Sequence, residues 1–145
     1  MSVLIEAALY NHLVNDSNVT NVISTRVYPE IAPQGETMPY VTFSRVNVDH
    51  WHHMTAGEGV AGTMMQITGW AATPLARWNL GETLRESMDV HSSVSFGSGA
   101  STTGLRVASL QSEIDMVEPP TDGSEVGSFG VAQTWLLVHD ESVPT

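Results

Sequence analysis

The chain has 145 residues, with sixteen acidic side chains against five arginines, no lysine and no cysteine, and a formal net charge of −11. This composition excludes disulfides, thiolate metal sites and a cysteine nucleophile. It argues against wrapping of a nucleic acid backbone, because that needs basic residues to displace counterions.

The length suits a single domain spanning 1–145 with a real core. Only 14% of residues are charged, which is low for the surface of a monomer and fits a subunit that packs against neighbours. Simple solubility is the plainer reading of the acidity. No apolar run approaches a membrane span, and the start MSVLIEAALYNHLVND lacks the basic residues of a signal peptide. The expectation is a protein without membrane contact, made and assembled in the cytoplasm.

In chain order, Ser2 caps a predicted helix over Val3 to Asn15. Val3, Ala7, Leu9, Tyr10, Leu13 and Val14 form its broad apolar face, while Leu4 and Ile5 fall away from it and are free to meet another subunit. Asn15 to Thr25 reads as a polar connection anchored by Val22 and Ile23. Arg26 to Gly35 is a surface crossing, because Pro29 and Pro33 fix φ and remove backbone donors. Gln34-Gly35 reads as a turn, and from Pro39 the chain restarts in extended form. Tyr40-Val-Thr-Phe43 suits a half-buried strand.

The segment Asp49 to Gly62 reads as the tip of a projecting hairpin, made compliant by Gly57, Gly59 and Gly62. The return strand is TMMQITGWAA from Thr63, in which Met65, Ile67, Gly69 and Ala71 alternate with Met64, Gln66, Thr68 and Trp70. Thr73-Pro74 starts a second helix that runs to about Asp89 or Val90. Its stripe is Leu80, Leu84 and Met88, with Ala76 and Gly81; Trp78 points elsewhere, towards an edge or a partner. Gly81 costs helix stability by roughly 1 kcal/mol and is read as a place of close approach to the sheet.

His91 to Gly104 reads as a flexible loop. Leu105 to Met116 reads as a strand with a bulge near Ala108 or Ser109. Val117 to Ser128 reads as a second flexible loop, and Phe129 to His139 as a last strand with apolar groups on both faces, which places it mid-fold or at an interface. Residues 140–145 form a short acidic tail. The predicted fold class is therefore α+β: αββαββ, a four-stranded mainly antiparallel sheet with two helices on one face and a projecting β-hairpin.

Chemistry has one candidate cluster, His50, His52 and His53. In an extended segment His50 and His52 share a face and His53 opposes them. Two imidazoles can begin a zinc site, and Asp49, Glu58 or His91 could add to it, yet a zinc ion wants three or four ligands and no known spacing is met. The expectation is no required metal and no cofactor. GEGVAG and GSGASTTG lack the lysine of a phosphate-binding loop, and the hydrolase elbow would need glycine where Phe96 stands. Glu82 and Glu86 lie on a solvated helix face. No catalytic residue is assigned.

RVYP (Arg26 to Pro29), then APQ (Ala32 to Gln34), then PYV (Pro39 to Val41) resemble, in order and spacing, the tail-completion or tail-terminator family of long-tailed bacteriophages and phage-like particles. The likeness runs over roughly residues 3 to 139. The matching positions are Arg26, Tyr28, Pro29, Ala32, Pro33, Gln34, Pro39, Tyr40, Gln66 and Trp70.

The resemblance implies a non-enzymatic structural virion protein. It would form a ring, usually of six subunits, at the head-proximal end of the tail. Its partners would be the tail tube protein and a head-side stopper or connector protein, with DNA passing through the lumen without specific binding. Subunit contacts are expected at Ile5, Trp78 and the hairpin tip, namely His50, Trp51, His52, His53, Met54 and Glu58. The lysine-free surface and the histidine-bearing tip depart from the family pattern. A stopper of the same junction, a metal enzyme built on the histidines, and an acidic adaptor that mimics DNA are the alternatives.

Overall fold

The computed structural model describes residues 5–33, 37–52, 57–89, 94–98, 101–118 and 128–140. Within them lie α1 (Ile5–Asn15), α2 (Ser17–Ile23), β1 (Val27–Pro29), β2 (Tyr40–His52), β3 (Gly57–Ala71), α3 (Pro74–Met88), β4 (Val94–Ser98), β5 (Ser101–Glu118) and β6 (Ser128–Asp140). The class is α+β, as predicted. The count differs: one sheet of six strands in the order β1-β2-β3-β6-β5-β4, and three helices.

α3 forms where its signals predict. Thr73 is the cap, its hydroxyl accepting from the Ala76 amide, and Pro74 takes the first turn, where no backbone donor is needed. Leu80, Leu84 and Met88 are fully buried on the sheet. Close approach is made at Gly69 of β3, where a Cβ would stand 2.6 Å from Leu80 Cδ2. At Gly81 a Cβ would meet only ordinary contacts at 3.5 Å, so the close approach of α3 to the sheet is at Gly69 and not at Gly81.

α1 buries Ile5, Ala8, Leu9 and Leu13, a stripe at i, i+3, i+4 and i+8. This corrects the predicted facing. Tyr10 lies outside, and Ile5, expected to face a neighbouring subunit, is only 4% exposed within its own core. The segment read as a polar connection contains α2, whose N-cap Asp16 accepts from the Asn18 amide. Its helix-poor composition is overridden by packing against α1 and α3, with Val19 and Ile23 buried.

The predicted crossing holds one short strand. β1 pairs parallel with β2 through Val27, Tyr28 and Pro29 opposite Val41, Thr42 and Phe43. The Glu30 amide then donates to Phe43 O, and Glu30, at φ 66°, turns the chain off the sheet. The predicted 91–104 loop contains β4 and the start of β5. Most of the predicted hairpin tip is ladder as well, since β2 runs to His52 and β3 begins at Gly57.

β5 carries two register shifts, between Leu105 and Val107 and between Leu110 and Ser112, which flank the predicted bulge position. β6 sits between β3 and β5. Cross-strand partners share a face, so the register divides the sheet cleanly. Val41, Phe43, Met65, Ile67, Leu105, Ala108, Trp135 and Leu137 face the three helices and join their stripes in one core. The other face carries no helix among the described residues.

A candidate assembly surface on the open sheet face

Four residues of the predicted pattern, Ala32, Tyr40, Gln66 and Trp70, converge at one end of the open face. Arg26 Nε donates to Pro39 O at 2.9 Å, and the Val41 amide donates to Arg26 O, so the start of the crossing is tied to the start of β2. Tyr40 is set opposite Trp70, and Ser44 opposite Gln66, by the β2–β3 register. Ala32, Tyr40, Gln66 and Trp70 then line a single hollow of about 450 Å3 with Glu30, Ile31, Thr42, Thr68, Met116 and Glu118.

Ile31 stands at its rim, 81% exposed. The Trp70 ring lies across the backbone of Gly130, where a Cβ would come within 2.9 Å of Cζ3. Tyr28, Pro29 and Pro33 belong to the crossing, not to the hollow, and Gln34 lies outside the described residues. Across the middle of the open face, Thr134, Leu136, Ser109, Ser112 and Ile114 continue the surface without a charge.

The interface positions fare unevenly. Trp78 is 55% exposed. It is held by Nε1 donating to Asp115 Oδ2 at 3.4 Å, and Arg77 lies beside it. The Arg77 guanidinium is buried, 5.4 Å from the Trp78 ring centre and 5.7 Å from that of Phe129, and Nη1 donates to Met116 O at 3.2 Å. Its Nε is 3.8 Å from Asp115 Oδ1, too far for a hydrogen bond.

His50, Trp51 and His52 belong to the end of β2 and Glu58 to the start of β3, while His53 and Met54 lie outside the described residues. The ladder register shifts between His50 and His52, so the uninterrupted alternation assumed for these histidines does not hold. No group of three His, Asp or Glu side chains among the described residues is placed to hold a metal ion.

One polar trio was not foreseen from sequence. Ser87 Oγ donates to Asp16 Oδ2 at 2.6 Å, and His12 Nε2 lies 3.0 Å from both Ser87 Oγ and Ser87 O. Burial pushes the His12 pKa below its ordinary value, against the raising effects of the Ser87 carbonyl and Asp16. The composition is that of a hydrolytic triad, but the proton path is not. The serine proton is committed to Asp16, so the imidazole donates to Ser87 and does not receive its proton. The trio joins the end of α1, the cap of α2 and the last turn of α3.

Buried Gln133 plays a similar tying role. Its amide donates to Gly81 O at 2.7 Å and Glu113 Oε2 at 2.8 Å, and its carbonyl accepts from Trp135 Nε1 at 3.1 Å.

A one-sided sheet with helices gathered behind it and a broad, nearly uncharged open face defines a structural, assembling type of subunit. Residues 7–115 match the family described as tail completion protein gp17, and the chain belongs to that family. It is a structural tail protein of a virion. The fold is similar to a chain in a solved structure of the virion of a native gene transfer agent particle. The two share 14% identity with a TM-score of 0.68, over 94% of each chain. No curated protein sequence matches the chain. No helix among the described residues is long and apolar enough to cross a membrane.

Proposed function

We propose that this protein is a ring-forming tail terminator without catalytic activity. The ring, of six subunits, caps the tail tube and joins the tail to the head-side connector or stopper. The observation that carries this reading is the family match over residues 7–115, which takes in the crossing, the hairpin, α3 and most of β5.

The geometry supports it. A ring repeats one heterologous contact until it closes, so each subunit needs two different complementary patches. The β2–β3 hairpin is one candidate for such a patch, and the exposed Trp78 of α3 marks another. A lumen dominated by acidic residues would let DNA pass without the phosphate contacts that make binding tight.

The test is assembly. Light scattering on the purified protein, with and without a chelator, should give a closed oligomer indifferent to chelation. Added to polymerising tail tubes, the protein should narrow their length distribution. Deletion of Trp51 to Gly59 should give folded monomers that no longer cap tails. A protein that shows no cyclic symmetry in assembled particles would overturn the reading.

A further inference from the structure

The sheet has two uncovered edges, and they lie at the same level. On the outer side of β2, β1 pairs only with Val41–Phe43. On the outer side of β5, β4 pairs only with Ser101–Leu105. Among the described residues no strand covers β2 from Ser44 onwards, or β5 from Val107 onwards.

The ladder registers place these stretches relative to one another. Asp49 is level with Gly62, Val138 and Val107; Asn47 with Met64, Leu136 and Ser109; Ser44 with Gln66, Thr134 and Ser112. Ser44–Asp49 on one side and Val107–Ser112 on the other are therefore windows of equal length at one height. Three successive antiparallel pairings also make β2 and β5 antiparallel.

We infer that the subunit contact is an edge-to-edge sheet joint: the open edge of β2 in one copy pairs, antiparallel, with the open edge of β5 in the next. This rests on the ring reading above and specifies its contact. The occupant is a second copy of this chain because the two windows complement each other in polarity, height and length. A uniform side-by-side arrangement brings one onto the other in every neighbour pair. Such a joint is heterologous and leaves no free window once the ring closes. Backbone N–H and C=O groups with no neighbouring strand supply the attraction, as when an extended chain adds to a sheet edge.

The β5 edge also lacks the usual protection, whereas the β2 window carries Arg45 and Asp49. Natural edges are commonly guarded by charge, yet Val107–Ser112 contains none in a chain with sixteen acids. Beside each window, on the helix side, is an unfilled hollow. One of about 420 Å3 lies by β2 and is lined by Tyr10, Phe43 and Arg45 among others; one of about 310 Å3 lies by β5 and is lined by Val107, Leu110 and Trp135 among others. An added strand would send alternate side chains into them. Each window carries a register shift, at Val46 and at Gln111. Such bulges increase local twist and bend an edge, and a closed ring of sheets requires bending at every joint. Among the described residues no strand covers β5 from Val107 to Glu118, which leaves room for the stagger that closing a sheet demands.

The chain has no cysteine, so engineered disulfides report the joint directly. Asn47→Cys is combined in turn with Ser109→Cys, Ser112→Cys and Ile114→Cys, all on the open face, to sample stagger. Mild oxidation is carried out both at concentrations where light scattering reports the oligomer and in purified particles. The expected result is a ladder of covalent species up to the ring size for at least one pair. No ladder is expected for any single variant or for Val48→Cys with Ser109→Cys, which face opposite sides of the sheet.

An intact cyclic oligomer in which none of the three pairs cross-links overturns the edge joint and leaves the ring reading standing. Absence of cyclic symmetry in the assembled particles overturns both.

Discussion

Gly130 is the position where a single methyl group tests the candidate surface. A Cβ added there would sit 2.9, 3.0 and 3.2 Å from three atoms of the Trp70 ring, and a rigid ring cannot yield by rotating one flexible end. Gly130→Ala gains about 0.5–1 kcal/mol by restricting the unfolded chain. Against this, overpacking typically costs about 1–3 kcal/mol. The net expectation is destabilisation by roughly 0.5–2 kcal/mol, with Trp70 displaced towards Ile31 and Met116. In a Trp70→Ala background the obstruction is gone, and the same substitution should become neutral or stabilising. Urea denaturation of the four proteins gives the coupling energy, expected at about 1–3 kcal/mol. Trp70 emission should shift in Gly130→Ala, and tube capping should weaken with it. Equal effects of Gly130→Ala in both backgrounds would refute the contact, and with it the geometry of the hollow.

Other outcomes follow from the same packing. Leu84→Ala removes a fully buried side chain between α3 and the sheet, and urea melts should show a loss of about 2–5 kcal/mol. Arg77→Ala deletes the bond to Met116 O and both ring contacts; a loss of about 2–4 kcal/mol is expected, while Asp115→Asn, at an exposed partner, should cost less than about 1 kcal/mol by the same melts. The folded pKa of His12 is depressed below the ordinary 6.5, so its contribution to stability is complete above that pH. It is lost as pH falls from 6.5 towards the folded value, because the unfolded chain takes up the proton first. Stability measured across this window should slope less in His12→Gln than in the parent, and equal slopes would remove His12 from the account.

The parts legible in the sequence are those where one local signal and one face decide. Thr73-Pro74 fixes the start of α3, and the spacing of Leu80, Leu84 and Met88 fixes its facing; both hold in the structure. The alternation from Met64 to Ala71 likewise separates core from open face. Where two stripes compete, the sequence does not choose. On α1, Leu9 and Leu13 belong to both candidate faces, and only the packing selects Ile5 and Ala8 over Tyr10 as their companions. α2 and β4 were illegible for a different reason. Apart from Phe96 their residues are small, polar or β-branched, and packing or pairing with other elements holds their structure. Part of the hollow is legible, since Ala32, Tyr40, Gln66 and Trp70 sit in the family-like pattern. Met116 and Glu118 enter it only because β5 pairs with β6 next to β3.

The uncovered edge of β2 shows how a small sequence feature can reach the level of assembly. β1 is three residues long because the chain after it cannot stay on the sheet. Pro29 has no amide to add to the ladder, Glu30 adopts φ 66° after its bond to Phe43 O, and Pro33 follows. Had the crossing continued in register past Pro29, it would have covered Ser44 to Asp49 and satisfied their backbone groups within the subunit. Pro29 and Pro33, two residues of the tail-completion pattern, thus help to end β1 and leave the edge open. On the edge-to-edge reading, their part in assembly is indirect. They do not touch the neighbouring copy; they hold the chain off the place where it docks.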